Sequence, residues 1–216
     1  MKIGILGELT RFEELKQTLP AAAEIFYHNM TIPETLDDYD VFFDLNFEQH
    51  QVALERYLLS QSDTIFILSS VGLELKSLQN TLRLKDSIFG MNCLPTFIHR
   101  SVKEISYHND NQKFRIQILE EMLHWKIAPV KDRVGMVTSR ILCMIINEAY
   151  YTLQEGTASK ADIDTGMKLG TNYPFGPFEW CEKLGVKTVV TMLEKIYNDT
   201  KDERYKICPL LKSASY

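Results

Sequence analysis

Short apolar runs and amphipathic stretches take turns along the first 130 residues. Apolar runs at Lys2–Leu6, Glu24–His28 and 41–45 predict strands. The third, within "DYDVFFDLNF", is unbroken, as in a strand covered on both faces of a parallel sheet. "DTIFILSS", "SIFGMNC", "VKEISYH" and "KIAPVKD" add four more. Between them the spacing predicts helices over 11–19, 49–61, 74–81 and 111–125. Val52, Leu54, Tyr57, Leu58 and Leu59 give the second its apolar cover, and Phe114, Ile118, Leu119 and Met122 fall in step on the last. This alternation specifies an open, mainly parallel sheet with helices on both faces.

The rhythm changes after Arg133. "GMVTSRILCMIINEAYYTLQEG" reads as a long helix with Met136, Ile141, Met144, Ile145 and Tyr151 as its apolar set, stopped by Gly156. Ser159 caps the next helix, with Asp162 in its first turn. "GTNYPFGPFEW" is a Gly/Pro-rich corner, and helices near 178–184 and 187–198 complete an all-α second half. Two domains follow, 1–130 and 131–216.

Composition narrows the partners. A net charge of −5 leaves no basic footprint for nucleic acid. No apolar run reaches the ~20 residues that span a bilayer. Cys93, Cys143, Cys181 and Cys208 are scattered, without CxxC or Cys/His metal spacing, and Cys143 and Cys181 read as buried thiols. No metal is expected. Met1 leads straight into a strand, so no leader peptide is expected and a reducing cytoplasm is the default.

The stretch "INEAYYTLQEGTASKADIDTGMKLGTNYPFGPFEWCEKLGVKTVVTMLEKIY" resembles the C-terminal domain of the L-3-hydroxyacyl-CoA dehydrogenase family. The helix ending in E-G, "ADID", "MKLG", the "GPFE" corner and the following "LG" stand in the family's order and spacing. Upstream, "DYDVFFDLNFEQ" and "FGMNCLPTFIHRSVKEIS" are similar to its sheet strands. The resemblance implies a Rossmann-like, NAD-binding first domain and a helical dimerisation domain. It also implies oxidation of a 3-hydroxyacyl-CoA by NAD, with a His as base, oriented by a Glu twelve residues on.

Residue by residue, the chain departs from that pattern where chemistry is done. G-x-G-x-x-G becomes Gly7-Glu8-Leu9-Thr10-Arg11-Phe12, which puts Leu9 where a phosphate would lie and Phe12 where helix and strand pack closely. Glu8 opposes an anion there, and Arg11 offsets part of that charge. His28-Asn29 replaces the acidic residue after the second strand. The His position is Asn92, whose amide takes up no proton near pH 7. Glu104 falls where the orienting Glu would be and, lacking its His, reads as a solvated or strand-end carboxylate. His99 reads as a loop residue. The family's S-N-T-S-S becomes Leu68-Ser69-Ser70-Val71-Gly72, leaving Ser69 and Ser70 as polar contacts. Ser139 stands in place of an Asn, followed by a matching Arg140. Glu48 matches the second acid of E-x-x-x-E, with Asp44 in place of the first. The family's helical hairpin between the second and third strands is missing.

The expected site is thus Asn92, Glu104, Ser70 and Ser139 at the catalytic positions, and Gly7, Leu9, Phe12 and Glu48 at the degenerate coenzyme positions. The expected function is a dehydrogenase-like protein that has lost or weakened hydride transfer. It would serve as a dimeric binding or regulatory protein, with an acyl-CoA or other small ligand in an interdomain cleft. An altered active dehydrogenase and a structural partner of an active paralogue remain as alternatives. The helices around Ile145, Leu153, Met167 and Leu184 are expected to bury against a second copy.

Overall fold

The computed structural model describes residues 1–78 and 83–216. It divides into two compact units, Met1–Met136 and Val137–Tyr216.

The first unit is built on one seven-stranded sheet: β1 (Lys2–Leu6), β2 (Glu24–His28), β3 (Val41–Asp44), β4 (Ile65–Ser69), β5 (Ile88–Met91), β6 (Val102–Tyr107) and β7 (Lys126–Lys131). Their order is β2-β1-β3-β4-β5-β6-β7. Every pairing is parallel except β5–β6. The chain steps from β1 to β2 on one side and returns to β3 on the other. The switch point therefore lies between β1 and β3, where open α/β sheets form a ligand crevice outside the strands' carboxyl ends.

Strand alternation sends side chains into two cores. Ile3, Ile5, Phe43, Ile67, Phe89 and Met91 pack with α1 (Leu9–Lys16) and α3 (Gln112–Leu123) on one face. Leu6, Phe42, Phe66, Leu68 and Ile88 pack with Tyr57 of α2 (Leu54–Leu59) on the other. Helix α2 is shorter than the predicted 49–61. Two 3-10 turns, Phe47–Gln49 and Gln51–Ala53, precede it, and His50 between them is non-helical at φ −141°. The predicted helix over 74–81 is a 3-10 turn at Leu75–Leu78, and its last part lies outside the described residues. Asp132 accepts the Leu75 and Lys76 N–H groups at 3.1 and 2.9 Å and so fixes that turn.

The second unit holds α4 (Thr138–Gln154), α5 (Lys160–Thr171), α6 (Pro177–Leu184), α7 (Val186–Thr200) and α8 (Pro209–Ser213). The "GPFE" corner has a clear physical basis. Gly176 has no side chain to cap α6, and Pro177 at its first position has no N–H to be capped. Asp164 of α5 supplies the missing acceptor, taking the N–H of Phe178 at 2.8 Å and of Glu179 at 3.3 Å. A Cβ at 176 would overlap the Asp164 carboxyl, so only glycine lets the carboxylate sit there. Glu179 reaches back to the Gly176 N–H at 2.9 Å and pairs with Lys168 at 2.5 Å. On α4, Leu142, Cys143, Ile146, Ala149 and Tyr150 are buried, whereas Ile141 is exposed and Met144, Ile145 and Tyr151 are half-buried. Leu184 is buried inside this unit, while Leu153 and Met167 are half-buried. All four cysteines are free and buried.

Candidate functional site

The turn after β1 sits at the switch point, and its geometry is set by packing. Gly7 lies against Leu45, whose Cβ would be 2.9 Å from any Cβ placed at position 7. Leu9 is exposed. Phe12 is buried in the core with its ring 4.5 Å from that of Tyr27, so it fills space between α1 and β2. The Arg11 guanidinium donates to the Leu45 carbonyl at 2.7 Å, tying α1 to the end of β3. After β2, His28 bonds the Tyr39 hydroxyl at 2.8 Å, and burial lowers its pKa. Two residues on, the Met30 sulfur accepts from Asn46 Nδ2 at 2.7 Å.

Farther across the sheet, β5 places Ile88, Gly90 and Asn92 on one face and Phe89, Met91 and Cys93 on the other. Asn92 and Glu104 face each other across the antiparallel ladder. Asn92 donates its backbone N–H to the Glu104 carbonyl at 3.3 Å and its side-chain amide to the Glu104 carboxylate at 3.2 Å. The register of β5 on β6 delivers Glu104 to position 92 whatever residue stands there. His99 is exposed in the loop 92–101.

Ser70, just past β4, is buried, and its hydroxyl has no hydrogen-bond partner among the described residues. The Ser106 hydroxyl is in the same condition. Both lie where a Cβ at Gly90 would be, so the missing side chain at 90 gives the two hydroxyls their room. Val71 is buried, and the Gly72 N–H donates to Glu48 Oε1 at 2.9 Å. Glu48 thereby joins the carboxyl ends of β3 and β4. In the second unit Ser139 is buried in the first turn of α4, and Arg140 donates to the Tyr205 hydroxyl at 3.1 Å, a structural tie.

One constellation escaped the sequence reading. Asp44 is fully buried and accepts from the Tyr57 hydroxyl at 2.7 Å, from His50 Nε2 at 2.9 Å and from the Asn46 N–H at 3.0 Å. Burial pushes its carboxyl pKa up, and the hydrogen bonds from Tyr57, Asn46 and His50, with the charge of His50, pull it back. His50 is half-buried, and among the described residues it is the one histidine paired with a carboxylate. The signal was a His six residues past a strand-end Asp, which periodicity does not mark. On the opposite face, Cys93 is pushed up to about 12 by burial, against the opposing pull of Arg11 and a Ser69 hydrogen bond. No cluster of three or more His, Cys, Asp or Glu able to hold a metal occurs among the described residues.

Residues 135–215 match the family "3-hydroxyacyl-CoA dehydrogenase, C-terminal domain". The 3-hydroxybutyryl-CoA dehydrogenase of Clostridioides difficile is 28% identical over 198 residues, which are 88% of this chain and 70% of that protein. The second unit carries this family's C-terminal domain, and the chain as a whole is similar to 3-hydroxybutyryl-CoA dehydrogenases. The 3-hydroxyadipyl-CoA dehydrogenase of Escherichia coli K12 is 44% identical over 86 residues, 40% of this chain. The match spans only 18% of that longer protein. The crystal structure of (S)-3-hydroxybutyryl-CoA dehydrogenase from Ralstonia eutropha superposes with a TM-score of 0.77 at 21% identity, covering 98% of this chain and 92% of that one. At that identity the likeness is one of fold.

The 3-hydroxyacyl-CoA dehydrogenase family is NAD-dependent, so the β1–α1 turn is where a dinucleotide's pyrophosphate would rest. The residues here do not fit it. The space beside Gly7 is held by Leu45, the crevice is crossed by Arg11, and no glycine stands at 9 or 12 to bring phosphate against backbone.

Proposed function

We propose that this 3-hydroxyacyl-CoA dehydrogenase-like protein binds an acyl-CoA-type ligand without oxidising it, as a binding or regulatory protein. The observation that carries the reading is Asn92 in the grip of Glu104. The orienting carboxylate is in place, and the group it holds is an amide that cannot accept the hydroxyl proton. General base catalysis is worth about 10²–10⁴-fold, so its loss alone removes most turnover. Association as a homodimer through the helical unit is part of the proposal, supported by exposed Ile141 and Leu169. Four unpaired, buried thiols support a reducing compartment such as the cytoplasm.

A second reading, an altered but active dehydrogenase, is favoured by the intact Asn92–Glu104 bond, which preserves the geometry of the pair. The experiment adds acetoacetyl-CoA to the purified chain, measures binding by calorimetry, and follows NADH absorbance in parallel. Saturable heat without NADH consumption supports the proposal. Steady consumption supports the second reading. Neither heat nor consumption refutes both.

A further inference from the structure

The carboxyl ends of β2, β1 and β3 lie side by side, with β1 in the middle. Met30 follows β2 and Asn46 follows β3, and their side chains meet at 2.7 Å, a bond that spans the end of β1. Asn46 is buried, and its backbone N–H is held by Asp44, itself fixed by Tyr57 and His50. The reach of Asn46 toward Met30 therefore starts from an anchored turn. On the α1 side, Arg11 crosses to the Leu45 carbonyl at 2.7 Å, and Leu45 closes on Gly7. Three groups of the chain, from α1, from beyond β2 and from beyond β3, occupy the mouth of the switch-point crevice.

We infer that this crevice is filled by the chain itself, with the Met30–Asn46 clasp and the Arg11 tie standing where family members seat the dinucleotide, and that it admits no NAD. The inference rests on contacts at β1–β3 and is independent of Asn92. It deepens the proposed function by removing the coenzyme as well as the base. Entry of a pyrophosphate would require the Arg11 bond and the Met30 bond to break, and would return one uncharged carbonyl and one buried amide unpaired. Leu9 and Glu8 at the start of α1 offer the entering anion a side chain and a like charge. An open Rossmann turn leaves its N–H groups free for that anion.

The test uses the full chain labelled with ¹³C-methyl methionine, with Met30 assigned from its loss in Met30→Leu. NADH is titrated to about 1 mM, the range of a free energy near −4 kcal/mol, while its own fluorescence is recorded. The expected result is no saturable movement of the Met30 methyl signal and no fluorescence enhancement. Fluorescence enhancement with Met30 unmoved places NADH elsewhere and leaves the crevice closed, which also supports the inference. A saturable Met30 shift that is weakened at least about tenfold by Leu9→Asp places NADH on the β1–α1 turn and overturns it. Binding of this last kind without turnover would overturn the filled crevice while leaving the proposed function standing, and turnover would overturn the proposed function.

Discussion

Replacing Asp164 with alanine removes the cap of a helix that has no cap of its own. In the folded unit the carboxylate satisfies two first-turn N–H groups of α6, one at 2.8 Å and one at 3.3 Å. Loss of an N-cap acceptor costs about 0.5–2 kcal/mol, and a buried donor left unpaired costs about 1–3 kcal/mol. The longer bond contributes little, so Asp164→Ala should destabilise the second unit by about 2–3 kcal/mol. Asp164→Asn keeps an acceptor and loses the charge at the helix N-terminus, for a cost of about 0.5–1 kcal/mol. The assay is urea unfolding read from Trp180, which lies on α6 itself, in a Trp125→Phe background that silences the first unit. Gly176→Ala adds a sharper test. Its new Cβ collides with both the carboxyl and the Cβ of Asp164, so it should cost less in an Asp164→Gly background than alone. An Asp164→Ala variant within about 0.5 kcal/mol of the parent, or strictly additive costs at 164 and 176, would refute the reasoning.

Lys103 is buried, donates to the Ile98 and Arg100 carbonyls, and has its pKa lowered to about 8 by burial. The unfolded chain holds that proton up to its ordinary value, so the penalty is fully present below pH 8 and is relieved as pH rises toward 10.5. The stability of the parent relative to Lys103→Met, followed at Trp125, should rise by about 1–3 kcal/mol across that window, and a flat difference would contradict it. Tyr57→Phe withdraws a donor from the buried Asp44 carboxylate and should cost about 1.5–3 kcal/mol in denaturant titration. Gly90→Ala drives a Cβ into the Ser70 and Ser106 hydroxyls and should cost about 1–3 kcal/mol, with partial recovery on adding Ser106→Ala. Asn92→His alone should leave NADH consumption with acetoacetyl-CoA at the parent level, and a gain of about 10²-fold would show that the coenzyme turn works.

Strands were legible because a buried parallel strand is a short apolar run with little room for ambiguity. Lys2–Leu6 is legible to the residue, and so is the half-buried edge strand Glu24–His28. Helix ends were harder where a tertiary bond sets them. The pull of Asp44 on His50 breaks the predicted helix into two 3-10 turns before α2, and nothing in local spacing announces a bond from strand to turn. The compact units divide after Met136, because β7 runs to Lys131 and the Gly135 N–H still bonds the Val71 carbonyl of the first unit. The substitutions at 7–12 and 92 were visible in the sequence. The pairing of Asn92 with Glu104 and the clasp from Met30 to Asn46 were not, since each depends on strand register or on side chains meeting from separate strands.

Met30 and Asn46 are sixteen residues apart in the chain, and Arg11 and Leu45 are thirty-four. Contacts of this kind are intramolecular, so their effective concentration is fixed by the fold and does not follow the level of any metabolite. A domain completed by a bound coenzyme gains stability by mass action and loses it when the coenzyme is scarce. The end of this sheet is tied by its own side chains, so the free energy these ties contribute is the same in a starved cell as in a fed one.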